Sequence, residues 1–242
     1  MLKPNYIPKT WELPESIRKR LGESVGKQRF MDEEGHLLLL LHAPPSADDD
    51  EVRQAVVFWR NALGEWKSAP LGGGLNGLEA HLASYRTVIH KLDTEVEAAK
   101  TARQYFDVMR HMHPMQRATR SLLDVMQAAR ELRPEETRLI SLRDQAADLE
   151  RAIELVASDA KAGMDFSIAE SAANQAISAE EANKEARRLN RLAAFFFPLV
   201  TLVSIFGMNP PGRVMEYGGF WGTCIIGSLL GFIVFLLVAK KK

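Results

Sequence analysis

The sequence predicts a mainly α-helical protein. A small α/β cap opens the chain, and a long stalk helix continues into the first of two C-terminal transmembrane helices. Three observations carry this. Apolar residues recur at spacings of three and four from Leu78 to Ala99 and again from Leu139 to Ala160, as an amphipathic helix requires. Runs with strand character are confined to the first third of the chain. Two stretches without a charged residue, Leu192 to Gly212 and Tyr217 to Ala239, finish it. The expected divisions are residues 1–75 for the cap, 76–190 for a helical stalk or funnel, and 191–242 for a two-helix membrane domain.

The first residues are polar and marked by Pro4, Pro8 and Pro14, with one short helix expected from Glu15 to Leu21. Strands are expected at Gln28 to Met31 and His36 to His42, separated by a turn at Asp32-Glu33-Glu34-Gly35. Five consecutive leucines between His36 and His42 read as a buried strand. Asp48, Asp49, Asp50 and Glu51 form an acidic loop. Ala55 to Arg60 and Trp66-Lys67 read as a further pair of strands around Ala62-Leu63-Gly64-Glu65. Leu71-Gly72-Gly73-Gly74 reads as a linker. A sheet of three to five strands is too small to stand alone comfortably.

Leu78, Leu82, Tyr85, Ile89, Leu92, Val96 and Ala99 form one helical seam. The helix is expected to end near His113-Pro114, because proline disfavours helix in the residue before it. A shorter helix is expected from Met115 to Leu132. Pro134-Glu135-Glu136 then reads as a helix start, with acids at the positive end of the dipole. Leu139, Leu142, Ala146, Leu149, Ile153, Val156 and Ala160 make the next seam. Beyond Gly163 the apolar positions shrink to alanine, at Ala169, Ala172, Ala173, Ala176, Ala179, Ala182 and Ala186. Gly163 alone costs a helix about 1 kcal/mol, so one helix is expected from Pro134 to Phe206, on the order of 100 Å long. A break at Gly163 is the alternative.

The two charge-free stretches hold 21 and 23 residues, against the roughly 20 that cross a hydrocarbon core. Lys184, Arg187, Arg188 and Arg191 precede the first, and Lys240, Lys241 and Lys242 follow the second. By the positive-inside rule both termini are cytoplasmic and the loop with Arg213 and Glu216 is outside. Gly227 and Gly231 form a GxxxG that lets another helix approach closely. Pro198 removes a backbone donor from the first span. Thr201 and Ser204 within it either face a water path or bond back to their own helix.

Lysines plus arginines equal aspartates plus glutamates at 31 each, so no nucleic-acid footprint is visible. The single cysteine, Cys224, excludes an internal disulfide and a cysteine-based zinc site. His111 and His113 are two apart and do not share a helical face. No Gly-rich phosphate loop, nucleophile elbow or metal-ligand cluster appears, so an enzyme is not expected.

From Ala182 to Asn209 the sequence resembles the CorA family of divalent-cation channels. The resemblance rests on Asn183, Leu189, Pro198-Leu199 and, at the outer end of the first span, Gly207-Met208-Asn209. The long helices and cap before it resemble a shortened form of that family's cytoplasmic funnel. The resemblance implies a homopentamer in the cell (inner) membrane, in contact with lipid, whose first membrane helices line one pore. Gly207, Met208 and Asn209 would be its selectivity filter. Asn183, Ala186, Leu189, Ala193, Phe197, Val200 and Ser204 would line it, with Leu189 and Phe197 as hydrophobic constrictions that gate by dewetting. Mg²⁺ gives up water reluctantly, so a ring of Asn209 amide oxygens would hold the hydrated ion in its outer shell. Glu216 would be the acidic ring of the outer loop.

The chain departs from the family pattern in three places. Pro210 stands where an aromatic is usual. Val200 stands where threonine is usual, and Thr201 is one place off. The soluble part is short. The family's regulatory Mg²⁺ sites are built from carboxylates between subunits. Asp159, Asp165, Glu170 and Asp48 to Glu51 are the candidates here, though each reads more simply as solvated surface charge, since most charges face water. Mg²⁺ is thus the expected cargo and regulator, with no organic cofactor. Transport of Co²⁺, Ni²⁺ or Zn²⁺ remains open, as does a CorA-like effector gated by a cytoplasmic ligand.

Overall fold

The computed structural model describes residues 6–45, 54–208 and 219–240, without the side chains of 205–208, 219, 220, 223 and 237–240. It has two compact units, Met1–Ala169 and Glu170–Lys242. The first begins with the short helix α1 (Glu15–Arg18) and four strands, β1 (Arg29–Glu33), β2 (His36–His42), β3 (Ala55–Arg60) and β4 (Trp66–Ala69). They form one antiparallel sheet in sequence order. Helices α2 (Leu75–Ala98), α3 (Ala102–Leu132) and α4 (Arg138–Met208) follow, and α5 (Gly219–Lys240) completes the described chain.

The β1–β2 hairpin turns through two residues only. Glu33 pairs with His36, and Glu34 and Gly35 both have positive φ, 54° and 78°, as a two-residue primed turn demands. The strand therefore runs two residues further than the acidic turn expected at Asp32–Gly35. The sheet is buried on both faces, which explains the unbroken leucine run. Leu37, Leu39 and Leu41 face the helices together with Val56 and Phe58. Leu38 and Leu40 face Trp11, Leu13 and Ile17 of the N-terminal segment together with Val57 and Trp59. Arg18 fastens that segment by donating to the carbonyls of Trp11 and Leu13 at 2.8 and 3.0 Å. The first helix stops there, shorter than the expected Glu15 to Leu21.

The expected helix ending at His113 is instead two helices. Its break lies at Ala99–Thr101. Thr101 Oγ1 accepts from the Gln104 backbone N–H, and Gln104 Oε1 accepts from the Thr101 N–H at 3.1 Å. This capping box starts α3. Pro114 then sits inside α3. An interior proline costs a helix about 3 kcal/mol. Met112 and Met115, on either side of it, are fully buried, and each contributes about 1.5–3 kcal/mol on burial. Packing thus outweighs the local penalty.

Helix α4 begins at Arg138 rather than Pro134. The acids of Pro134-Glu135-Glu136 serve the sheet instead of a helix dipole. Glu135 pairs with Arg60 at 3.2 Å, and Glu136 accepts from Trp66 Nε1 at 3.3 Å. Arg133 beside them is bound to Asp32. The α4 seam is the expected one, from Leu139 to Ala160, all buried with the α2 and α3 seams in one core. The helix does not break at Gly163. A Cβ there would meet the Tyr105 ring at 2.6 Å, so the glycine makes room for a tyrosine on the helix backbone.

His81 of α2 lies in this core, between Phe58 and Tyr85 at ring separations of 5.9 and 5.3 Å. Burial, and then the neighbouring His42, pushes its pKa from 6.5 down to about 4. Burial also raises the Tyr85 phenol, which donates to the His42 carbonyl at 2.9 Å. His81 is therefore neutral when folded but takes a proton near pH 6.5 when unfolded. Stability should be fully present above pH 6.5 and fall as the pH drops from 6.5 to about 4, by on the order of 3 kcal/mol. Thermal melts of the full chain over that range should show the loss, and His81→Phe should flatten the slope. An unchanged slope in the variant would show that other groups set it.

Candidate functional site

The second unit holds the residues singled out in the sequence for a pore. Residues 170–208 lie in α4, which is unbroken to Met208, so Gly207 and Met208 continue its backbone. Asn209, Pro210 and Glu216 lie outside the described residues. Among the described residues no helix is long and apolar enough to cross a membrane. The expected stretches 192–212 and 217–239 both extend past the described side chains.

Within α4 two faces differ. Asn183, Ala186, Leu189, Ala193, Phe197, Val200 and Ser204 are all exposed. Phe197 is 74 % exposed and Leu189 66 %, high values for large apolar side chains. Phe195, Leu199 and Leu202 lie on the opposite side of a helix with 3.6 residues per turn, and all three are partly covered. What covers them is α5. A Cβ at Gly227 would meet Leu199 Cδ1 at 2.9 Å and Leu202 Cδ1 at 3.3 Å, and one at Gly231 would overlap the Phe195 carbonyl oxygen. The GxxxG is thus spent on the same chain's α4. Its glycines are four apart, as are Phe195 and Leu199, so two antiparallel helices meet backbone to backbone. By contrast, a Cβ at Gly222 would meet nothing within 4 Å.

Thr201 donates its hydroxyl to the Phe197 carbonyl at 2.8 Å, which satisfies it within its own helix. The Ser204 side chain is exposed. The helix continues through Pro198. From Ile168 to Ala193 every residue of α4 is exposed, including Ile177 and Leu192 at 57 % and 56 %.

Of the carboxylate candidates, three lie among the described residues. Asp159, Asp165 and Glu170 are exposed on α4, and Asp48 to Glu51 lie outside the described residues. Among the described residues no group of three or more His, Cys, Asp or Glu could hold a metal ion. The Phe195–Leu199–Leu202 face was not identified from sequence. Its signal was present in the matched four-residue spacing of the two glycines and the two side chains they meet.

The family model for the CorA-like Mg²⁺ transporter protein matches residues 77–241. The chain belongs to this family. The match takes in both long helical seams, the alanine-rich part of α4 and α5, and it starts just after the cap. The solved structure of the full-length CmaX protein is similar, with a TM-score of 0.60 and 17 % identity over 96 % of this chain and 83 % of that one. At that identity the likeness is one of fold, and it reaches across the cap that the family match leaves out. No protein of curated function matches the chain. Family membership makes it a relative of divalent-cation transporters.

The close contact at Gly231 sets a test. Gly231→Ala should drive α4 and α5 apart and destabilise the pair by about 1–3 kcal/mol, the usual cost of overpacking. Gly222→Ala should be neutral. Thermal melts in mild detergent should separate the two variants. Equal melting would mean that the helices do not pack through the glycine face.

Proposed function

We propose that the protein is a multi-pass channel of the cell (inner) membrane that carries Mg²⁺ into the cytoplasm through a homopentameric pore. The observation that carries this reading is the two-sided character of α4. One side is committed to α5, and the other leaves Leu189, Phe197 and Val200 exposed in a single chain. Apolar side chains exposed in that density call for a partner. A pore built from copies of α4 supplies it, with α5 outside against lipid. The alanine stripe from Ala169 to Ala186 lets helices converge just before the membrane.

On this reading 192–212 and 217–239 cross the bilayer with both termini inside, as the flanking basic residues direct. Gly207, Met208 and Asn209 form the outer filter, and Glu216 lies in the outer loop. Asn183, Ala186, Leu189, Ala193, Phe197, Val200 and Ser204 face the pore. Neither charge-free stretch contains a carboxylate, so the filter would hold hydrated Mg²⁺ weakly through amide oxygens, as permeation needs. Inward flux would be driven by membrane potential at about 2.3 kcal/mol per charge per 100 mV. Family membership supports divalent-cation transport, and the choice of Mg²⁺ rests on the Gly-Met-Asn motif.

Liposomes loaded with a Mg²⁺-sensitive dye test it. Wild type should admit Mg²⁺, and Asn209→Ala at equal protein load should abolish or strongly alter the flux. Absence of Mg²⁺ flux from correctly assembled pentamers would overturn the Mg²⁺ assignment, and the same vesicles would then report on Co²⁺, Ni²⁺ and Zn²⁺.

A further inference from the structure

Beside the α4–α5 contact lies an open groove of about 560 Å³, lined by Arg188, Arg191, Leu192, Phe195, Phe232 and Phe235. Its composition is graded along its length. The two arginines come from the α4 segment that precedes the apolar stretch, and the other four residues are apolar, three of them aromatic. Arg188 and Arg191 are three apart and share a helical face. Among the described residues neither is paired with a carboxylate. Glu185 makes no ion pair with them, whereas the nearby Lys184 is held by Glu180 at 2.8 Å. Two unneutralised guanidiniums at the head of an apolar trough match a ligand with a phosphate at one end and a hydrocarbon chain at the other. Guanidinium is well suited to phosphate because it offers several donors in one plane.

We propose that this groove binds one anionic phospholipid of the inner leaflet. Its phosphate would sit on Arg188 and Arg191, and an acyl chain would lie along Leu192, Phe195, Phe232 and Phe235. The inference rests on the membrane reading above. Its position agrees with that reading, because the basic end of the groove falls where the first charge-free stretch begins, at the cytoplasmic interface. Lys240 ends α5 and Lys241 and Lys242 follow it in sequence; on the membrane reading they add positive charge at the same interface. A zwitterionic lipid would bring a choline cation to two arginines, so the site selects for net negative headgroups. A peptide would need polar partners along its backbone, and the trough beyond the arginines offers apolar side chains only.

Native mass spectrometry of the full-length protein, titrated with dioleoylphosphatidylglycerol or dioleoylphosphatidylcholine, tests the site. Wild type should retain the anionic lipid at least about tenfold more tightly, given the attraction of each basic residue near a membrane surface. Arg188→Gln with Arg191→Gln should bring the two lipids to parity. Arg187→Gln, on the same helix but outside the groove, should keep the preference. Phe232→Ala should weaken both lipids together. Equal retention by wild type, or equal loss with Arg187→Gln, would overturn the site in favour of diffuse attraction or of a groove closed by a neighbouring copy. Flotation of the same protein with phosphatidylglycerol vesicles after alkaline washing keeps the two readings apart. Protein that floats without lipid preference overturns the site alone, and protein that fails to float overturns the membrane reading with it.

Discussion

The structure depends on α4 keeping its helix over 71 residues while its surroundings change completely. At its start the helix is held by burial. The seam from Leu139 to Ala160 closes a core shared with the sheet and two other helices. Near its end it is held by the close backbone approach at Gly227 and Gly231. Between these anchors, from Ile168 to Ala193, every residue is exposed, and none of the described residues covers it. Intrinsic propensity therefore carries that segment, and alanine has the highest helix propensity of all residues. The same alanines leave a surface thin enough for copies of the helix to approach. One composition thus serves the persistence of the helix and, on the proposed reading, its assembly.

The division of labour between the two sides of α4 follows from small differences in side-chain size. Glycine on α5 allows a backbone-to-backbone contact that no larger residue would permit, so the hairpin is fixed by shape rather than by polar bonds. That leaves the other side free of intrachain duties. Its large apolar residues would be an aggregation liability on a monomer and, in the proposed ring of helices, would serve as constrictions. Thr201, bonded to its own backbone, adds little polarity to either side. In the proposed pore, ion recognition would fall to the amide of Asn209, where neutral oxygens would contact hydration water and not trap a dehydrated cation.

Much of this was legible in the sequence. The seams from Leu78 to Val96 in α2 and from Leu139 to Ala160 in α4 appear in the buried core residue for residue, because 3.6-residue periodicity is set by the same burial that builds the core. Strands β2 and β3 have the expected bounds. The errors have local causes. Pro114 was read as a helix end because its penalty is visible in the sequence, while the compensating burial of Met112 and Met115 is a tertiary fact. The Thr101–Gln104 capping box is local, and its Thr-x-x-Gln pattern is visible in the sequence. Glu135 and Glu136 looked like helix-start acids, but their partners Arg60 and Trp66 are seventy or more residues away. The family resemblance rested on the region from Ala182 to Asn209, and the family match at 77–241 extends it over most of the chain. The partner of the GxxxG was not readable, since spacing alone does not say which helix fills the space.

In the proposed assembly α4 turns one side to water and other copies and the other side to α5. Thiol accessibility distinguishes the two sides. In a Cys224→Ser background, single cysteines at 193, 197, 200 and 204 and at 195, 199 and 202 would be exposed to a membrane-impermeant cationic thiol reagent in inside-out vesicles. The first set should be modified and the second protected. Uniform reactivity around the helix, or modification of 195, 199 and 202 with protection of the others, would contradict it.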